Sequence, residues 1–354
     1  MKVCVYAIAK NEEKFALRWI KNMQEADEVI VLDTGSTDKT VEILRQNGAK
    51  VFEEKIVPWR FDKARNRSLE LVPQDADICV CTDLDEVFDK NWRQKIESAW
   101  QKDTTRLRYR YVWNFTDDGK EGTVFYCDKI HARNGYFWKY PVHEILQYNG
   151  KNESFSEVPN VTLKHYADNQ KSRGQYLALL EQAIDEDPEN DRNMHYLGRE
   201  YMFYKKYDLA IQTLKKHLEL KSSAWKDERA ASMRYIAKCY VQKGDVISAY
   251  KYFLLAICEA PHLREPWLDM AYFEYDRQNW LGCAYFAEYA LAIKTRPKTY
   301  ITEARSWDAT PYDILSIAYY HIGDVQGAIS NVKKAIKLSD DNRLRENLKV
   351  FEGI

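Results

Sequence analysis

Ile78-Cys79-Val80-Cys81-Thr82, followed by Asp83-Leu84-Asp85-Glu86, sets the frame for the whole chain. Five uncharged residues suit a buried strand, and two carboxylates follow where that strand leaves its sheet. Positions i and i+2 on an extended chain share a face. Asp83 and Asp85 can therefore point together into the crevice beyond the strand's carboxyl end, where open α/β sheets bind ligands. Paired hard oxygens there suit Mg²⁺ or Mn²⁺ carrying a diphosphate. Alone, two aspartates at this spacing serve equally well as a polar turn, so their surroundings have to decide.

Outward from this stretch, the first half alternates strands and helices. Residues 2–9, 28–33, 50–53 and 78–83 read as strands. Residues 12–24, 38–47 and 61–71 read as helices, the first with Phe15, Trp19, Ile20 and Met23 at helical spacing. Hydroxyls of the turn Thr34-Gly35-Ser36-Thr37 are placed to cap the second helix, and Gly48 to end it. Such alternation implies a parallel sheet with right-handed crossovers. Residues 105–166 are richer in strands, at 108–113, 123–126, 136–138 and 161–163.

The second half is helical and repetitive. Tyr201 and Ala210, Tyr240 and Ala249, and Tyr319 and Ala328 are each nine residues apart. Each tyrosine has a small residue three back (Gly198, Ala237, Ser316) and an aliphatic one four back (Leu197, Ile236, Leu315). A degenerate copy runs through Met270, Ala271, Cys283 and Ala287. Ala210, Ala249, Cys283 and Ala328 lie 39, 34 and 45 residues apart, so the connections vary in length. The pattern resembles tetratricopeptide repeats, helix–turn–helix units of about 34 residues. Small residues at fixed positions let paired helices approach closely, and successive units then bury one another.

Composition excludes several classes. Of 354 residues, 45% are apolar and 30% charged, an ordinary globular mix consistent with two domains. The formal net charge of −1 gives no argument for nucleic acid or an anionic membrane. No apolar run approaches a transmembrane length, and residues 1–6 read as a strand rather than a signal peptide. The seven cysteines are scattered without zinc spacing, which suits core thiols in a reducing cytoplasm.

Taken together, the first ~170 residues resemble family-2 glycosyltransferases of the GT-A fold. The carrying segments are Ala7-Ile8-Ala9-Lys10-Asn11-Glu12-Glu13, Val31-Leu32-Asp33-Thr34-Gly35-Ser36-Thr37-Asp38, Phe61-Asp62-Lys63-Ala64-Arg65-Asn66, Thr82-Asp83-Leu84-Asp85-Glu86 and Val142-His143-Glu144. The joined helical half is similar to the repeat-containing branch of that family, whose members glycosylate peptides or cell-surface glycans. The resemblance implies a GT-A domain over residues 1–170, mostly parallel in its sheet, and a tetratricopeptide-like domain over 171–354. It implies a metal-dependent, inverting transfer from a nucleotide sugar, most simply UDP-linked, to a peptide, protein or glycan. The repeat half would recruit a polypeptide or hold a homodimer.

Roles follow residue by residue. Ala9 and Asp33, at strand ends, would border the donor nucleotide, Asp33 accepting hydrogen bonds from uracil or ribose. Arg65 would reach the nucleotide or its phosphates, or else simply pair with Asp62 at i−3. Asp85 would bind Mn²⁺ or Mg²⁺, Asp83 the ribose or a metal water, and Glu86 would be a reserve ligand, a residue supporting the ligands from behind, or a surface residue. Glu144, opening a helix beneath the acceptor, matches the catalytic base. The commoner family form has two acids there, so the pair His143-Glu144 leaves open which group takes the proton. His165 would complete the metal site, or lie at the domain junction as an ordinary buried histidine. Lys171 and Arg173 would reach the diphosphate or begin a linking helix.

Two other readings compete. A nucleotidyltransferase also uses paired acids, but it relies on a glycine- and base-rich loop where this chain has Ala9-Lys10-Asn11-Glu12-Glu13. A repeat scaffold without catalysis has no need of acids at 83, 85 and 144.

Overall fold

The computed structural model describes residues 1–116, 118–168 and 174–353. It divides into two compact units, Met1–Glu186 and Asp187–Ile354. Lys171, Arg173 and the expected boundary at 170/171 lie outside the described residues.

The first unit opens as β1 (Val3–Ala9), α1 (Glu13–Met23), β2 (Glu28–Asp33), α2 (Thr40–Gln46), β3 (Lys50–Glu53), α3 (Phe61–Glu70) and β4 (Ile78–Cys81). These follow the expected alternation. One detail differs: the carboxylate of Asp38, not a hydroxyl of the preceding turn, accepts from the Thr40 amide at the start of α2. There follow β5 (Glu86–Phe88), α4 (Trp92–Ala99), β6 (Arg106–Val112), β7 (Val124–Ala132), β8 (Tyr136–Lys139), β9 (Ile145–Tyr148), β10 (Phe155–His165) and α5 (Tyr176–Glu186). Eight strands form one sheet in the order β3-β2-β1-β4-β7-β6-β10-β5, with β8 and β9 a separate hairpin. The strands β3-β2-β1-β4 are parallel, β7 is antiparallel to both its neighbours, and β10 returns parallel to β6. The sheet is thus mixed, and its parallel half carries the strand ends that matter below.

Alternation along the strands divides the core. Val3, Val5 and Ala7 of β1 and Ile78 and Val80 of β4 pack with Phe15, Trp19, Ile20 and Met23 of α1 and with Trp92 of α4. Cys4 and Tyr6, with Cys79 and Cys81, face the opposite layer, where Leu69, Tyr136, Trp138 and Leu146 cover them. Cys4, Cys79 and Cys81 are free thiols, as are the other four cysteines. In β10 the register with β6 shifts between Val158 and Thr162, at Pro159, which cannot donate to a ladder.

The second unit is a run of antiparallel helix pairs: α6 (Asp191–Phe203) with α7 (Tyr207–Glu219), α8 (Lys226–Gln242) with α9 (Val246–Glu259), α10 (Arg264–Asp276) with α11 (Trp280–Ala292), and α12 (Thr310–His321) with α13 (Val325–Leu338), closed by α14 (Asn342–Glu352). These are the expected tetratricopeptide-type pairs. Ala210, Ala249, Cys283 and Ala328 have no exposed surface, which is why the repeat needs small residues there. A Cβ on Gly198 would meet Leu214 Cγ at 2.5 Å, so α6 and α7 touch backbone to side chain at that point. Each pair turns through one left-handed residue, Lys205, Gly244, Gln278 or Gly323. The widest spacing in the repeat is explained by residues 293–309, which run between α11 and α12 and include the short 3₁₀ turn Ala304–Ser306.

Candidate active site

Ala9, Asp33 and the loop after Cys81 all lie at the carboxyl ends of adjacent parallel strands. His165 closes β10, where it stands opposite Glu86. The chain therefore brings the sequence-predicted residues to one edge of the sheet. Asp33 is buried and shapes the loop that follows it. Its Oδ1 accepts from the amides of Gly35 (2.9 Å) and Ser36 (2.8 Å), and Oδ2 accepts from the Ser36 hydroxyl. Asn11 braces this loop against the one after β1, donating its amide to Ser36 Oγ at 2.8 Å and accepting from the Thr37 amide at 2.7 Å. The Ala9 carbonyl accepts from the Thr34 amide at 2.9 Å.

Asp85 and His165 face one another, with Oδ2 and Nε2 3.3 Å apart. His165 Nδ1 donates to the Trp113 carbonyl at 2.7 Å, which turns Nε2 toward the carboxylate. The Trp113 ring stacks on the imidazole with centroids 4.6 Å apart. The Asp85 carbonyl accepts from the Tyr166 amide at 2.8 Å, tying the acidic loop to the exit of β10. Burial disfavours a charged imidazole at His165, but the hydrogen bond and charge of Asp85 outweigh it and raise the pKa. A carbonyl-oriented histidine beside a carboxylate is the arrangement that divalent-metal sites use to fix ligand orientation. No cluster of three or more histidine, cysteine, aspartate or glutamate side chains able to hold a metal exists among the described residues. The donor set fits a cation that takes one carboxylate and one imidazole from the protein and the rest from phosphate oxygens and water.

Asp83 behaves differently from Asp85. Its Oδ1 accepts from Arg65 Nη2 at 2.8 Å, and its Oδ2 lies 3.7 Å from Lys129 Nζ. Burial alone would push its pKa up, but Arg65 and Lys129 hold it well below the usual carboxylate range. Arg65 also donates through Nε to Glu144 Oε1, so one guanidinium joins the acidic loop to the residue before β9. The expected alternative partner, Asp62, is instead engaged by Arg60. Helix α3 holds this region at two further points. The Phe61 amide donates to the Pro141 carbonyl at 2.9 Å, and Asn66 exchanges two hydrogen bonds with the Trp138 backbone.

One expectation is corrected here. Glu144 does not open a helix; it precedes β9, whose partner is the aromatic strand β8. The turn between these strands holds Tyr140 and His143 in left-handed conformations (φ 84° and 49°), which aims Glu144 back at Arg65. Of the places open to Glu86 it takes the supporting one behind the acidic loop, and it is 1% exposed. Its Oε2 accepts from the Asp83 amide at 2.8 Å and its Oε1 from the Tyr111 hydroxyl at 2.6 Å, and burial raises its pKa. It positions the acidic loop from beneath. Lys129, Tyr111 and Trp113 belong to the site without any motif to announce them. Lys129 and Tyr111 sit on strands whose alternation shows only that one face is inside, and Trp113 follows directly on β6.

With this geometry in place, comparison with known proteins is informative. The family model for glycosyl transferase family 2 matches residues 4–156. A prophage-derived glycosyltransferase of Bacillus subtilis, SunS, is 25% identical over 232 residues, covering 60% of this chain and 52% of the relative. The chain thus spans about half the length of that relative. A TPR repeat-containing protein of Synechococcus elongatus is 24% identical over 309 residues, covering 81% of this chain and 74% of its own. A solved structure of MamA superposes loosely on 49% of this chain and 95% of its own, at 18% identity and a TM-score of 0.38. Among the described residues, no helix is long and apolar enough to cross a membrane.

Proposed function

We propose that this chain, whose residues 4–156 are a family-2 glycosyltransferase domain, moves a sugar from a UDP-linked donor to a peptide or glycan acceptor with inversion, using a divalent cation. The observation that carries the reading is the facing pair Asp85 and His165, beside a neighbouring carboxylate, Asp83, that two cations hold ionised. Asp85 and His165 would hold Mn²⁺ or Mg²⁺, which when bound neutralises charge growing on the departing diphosphate. Imidazole favours Mn²⁺ of the two.

The remaining work falls to this chain's side chains. Ala9 and the loop shaped by Asp33 border the nucleotide at the ends of β1 and β2. Asp83, kept charged by Arg65 and Lys129, accepts from ribose hydroxyls. Glu144 is the base. Arg65 occupies its Oε1, so Oε2 takes the proton from the acceptor as the nucleophile attacks the anomeric carbon. His143, held beside it by the left-handed turn, orients the acceptor.

The direct test is thermal shift with UDP, with and without Mn²⁺, on the whole chain and on Asp85→Ala. A ligand at a hundredfold over its Kd stabilises by about 2.7 kcal/mol. UDP is expected to raise the melting temperature only with Mn²⁺, to lose that effect in EDTA, and to lose it in the variant. Equal shifts with and without metal would remove the cation from the reading. No shift in any condition would remove the nucleotide.

A further inference from the structure

In the second unit, α6 packs on α8, α8 on α10 and α10 on α12, so these four helices share one side of the array. Much of that side is filled by the chain's own residues 293–309. Tyr300 donates to Glu228 of α8, and its ring stacks 6.0 Å from Tyr196 of α6. The Glu303 carboxylate accepts from Arg234 Nη2 at 2.6 Å, and its amide donates to Glu265 at 2.9 Å. Arg305 donates to Asp269 at 2.7 Å. Ile301, Thr302 and Ser306 are buried. A tyrosine followed three residues later by a glutamate is thus what α8 and α10 accept.

On α6 that coverage meets Tyr196 and comes near Arg192, whose guanidinium hydrogen-bonds the Tyr196 side chain within reach of the charge of Glu228. Arg192, His195, Tyr196, Arg199 and Phe203 recur three and four apart and share a face. The guanidinium carbons of Arg192 and Arg199 lie 5.4 and 4.7 Å from the Tyr196 ring centroid, and Arg199 lies 5.8 Å from that of Phe203, which is 55% exposed. Among the described residues neither arginine forms an ion pair with a carboxylate, whereas Arg234, one helix along, holds both Asp269 and Glu303. His195 is fully buried, with Nδ1 hydrogen-bonded to Ser232 at 2.7 Å and Nε2 unpartnered. The Nε of Arg199 is likewise buried without a partner. Buried polar groups are ordinarily satisfied, so Arg199 has a donor to spare.

We propose that the α6 face of the second unit binds an acidic segment of a polypeptide, its carboxylates pairing with Arg192 and Arg199 and an aromatic neighbour resting on Phe203. Arginine suits planar carboxylates, and it stacks on rings without losing its donors. The chain's own Tyr300 and Glu303 display the same chemistry on the adjacent helices. The inference goes beyond the transfer reading and needs no donor.

The test is fluorescence anisotropy on the whole chain, with a labelled peptide of alternating glutamate and tyrosine as probe. The same peptide with glutamine in place of glutamate and a single-stranded oligonucleotide serve as controls. Arg192→Gln and Arg199→Gln are each expected to weaken the acidic peptide by roughly tenfold or more, the range of a lost charge-assisted contact. Arg199→Lys should fall between, and added salt should weaken binding. Melting curves establish that the variants are folded, and Arg192, half-buried near the start of α6, is the safer of the two. Failure of the acidic peptide to bind, equal binding of the glutamine peptide, binding unchanged in both folded variants, or tighter binding of the oligonucleotide would each overturn the proposal.

Discussion

Each unit contains a buried arginine that bridges two carboxylates, and the two bridges have different consequences. In the first unit Arg65 joins Asp83 and Glu144. In the second Arg234 joins Asp269 and Glu303. Asp269 also receives Arg305 and Lys238, and its side chain is 3% exposed. Every strong acceptor site in that cluster is directed at the protein, so it locks residues 293–309 onto α8 and α10. Asp83 is 34% exposed against 30% for Glu303, so what sets it apart is its place beside the Asp85–His165 pair at the end of a parallel sheet. A buried ion bridge is therefore no mark of a catalytic centre. The mark is a bridge that stands beside groups that need something further to complete them.

The sharpest way to break this contrast is to neutralise one carboxylate in each bridge. Glu144→Gln and Glu303→Gln both leave the arginine one charged partner and keep an amide oxygen for it. Each is expected to cost about 1–3 kcal/mol of stability, the range for weakening a buried charged hydrogen bond. Only Glu144→Gln should depress turnover, by roughly 10²–10⁴, the usual loss on removing a general base. Glu303→Gln should leave turnover within about twofold. Donor hydrolysis and transfer assays, read beside melting curves, decide the matter. If His143→Ala loses turnover to that extent while Glu144→Gln stays active, the imidazole is the base.

A second contrast lies in how the units are packed. The first relies on large residues such as Trp19 and Trp92 between sheet and helices, the second on close contact at small ones. Gly198→Ala should therefore destabilise the second unit by about 1–3 kcal/mol, the cost of overpacking, although alanine is the better helix former. Hydrogen exchange on α6 and α7 would register it. Unchanged or greater protection there would mean that Leu214 yields without strain.

The same physics explains what could be read in advance. Strand alternation in β1, β2 and β4 and the fixed phase of Ala210, Ala249, Cys283 and Ala328 are local patterns with a single packing solution, and the structure follows them. The strand leading to the acidic pair was legible, but it stops at Cys81, so Asp83 and Asp85 stand in the turn that follows and each has its own partners. Glu144's surroundings were not legible, since β9 exists only by pairing with β8. Neither was the partner of Arg65, which lies 79 residues along the chain. Asp62 was the obvious local candidate, but Arg60 holds it from two residues away. Which of its places Glu86 takes was not legible, because a carboxylate's burial depends on who donates to it, here the Asp83 amide and the Tyr111 hydroxyl.

The smallest expected effect separates the histidines. His131 of the first unit and His195 of the second are both buried, and burial lowers each pKa to about 3. His131 donates from Nδ1 to the Ala132 carbonyl and accepts at Nε2 from the Tyr6 hydroxyl, 2.7 Å away, which requires the neutral ring. For such a group the folded pKa lies below the unfolded one. Above about pH 6.5 it contributes no pH dependence; as pH falls from 6.5 toward 3, the unfolded chain binds a proton that the folded chain refuses. Stability then drops by about 1.4 kcal/mol per pH unit for each histidine. His165 has the opposite sign, because its folded pKa is raised: its contribution is complete below 6.5 and is lost as pH rises through the folded value. Below about pH 4.5, Glu228 adds to the acid loss in the second unit, since burial is outweighed there by its hydrogen bond to His217, and its pKa falls to about 2. Urea midpoints between pH 6.5 and 5, for the whole chain and for His131→Gln and His195→Gln, isolate the histidine contribution, because the remaining groups cancel between variant and parent. Each variant should show a slope shallower by about 1.4 kcal/mol per pH unit when its own unit is followed. A parent and variant with equal slopes would mean that the ring takes up a proton in the folded state, and for His131 the hydroxyl of Tyr6 would then have to reverse its hydrogen bond.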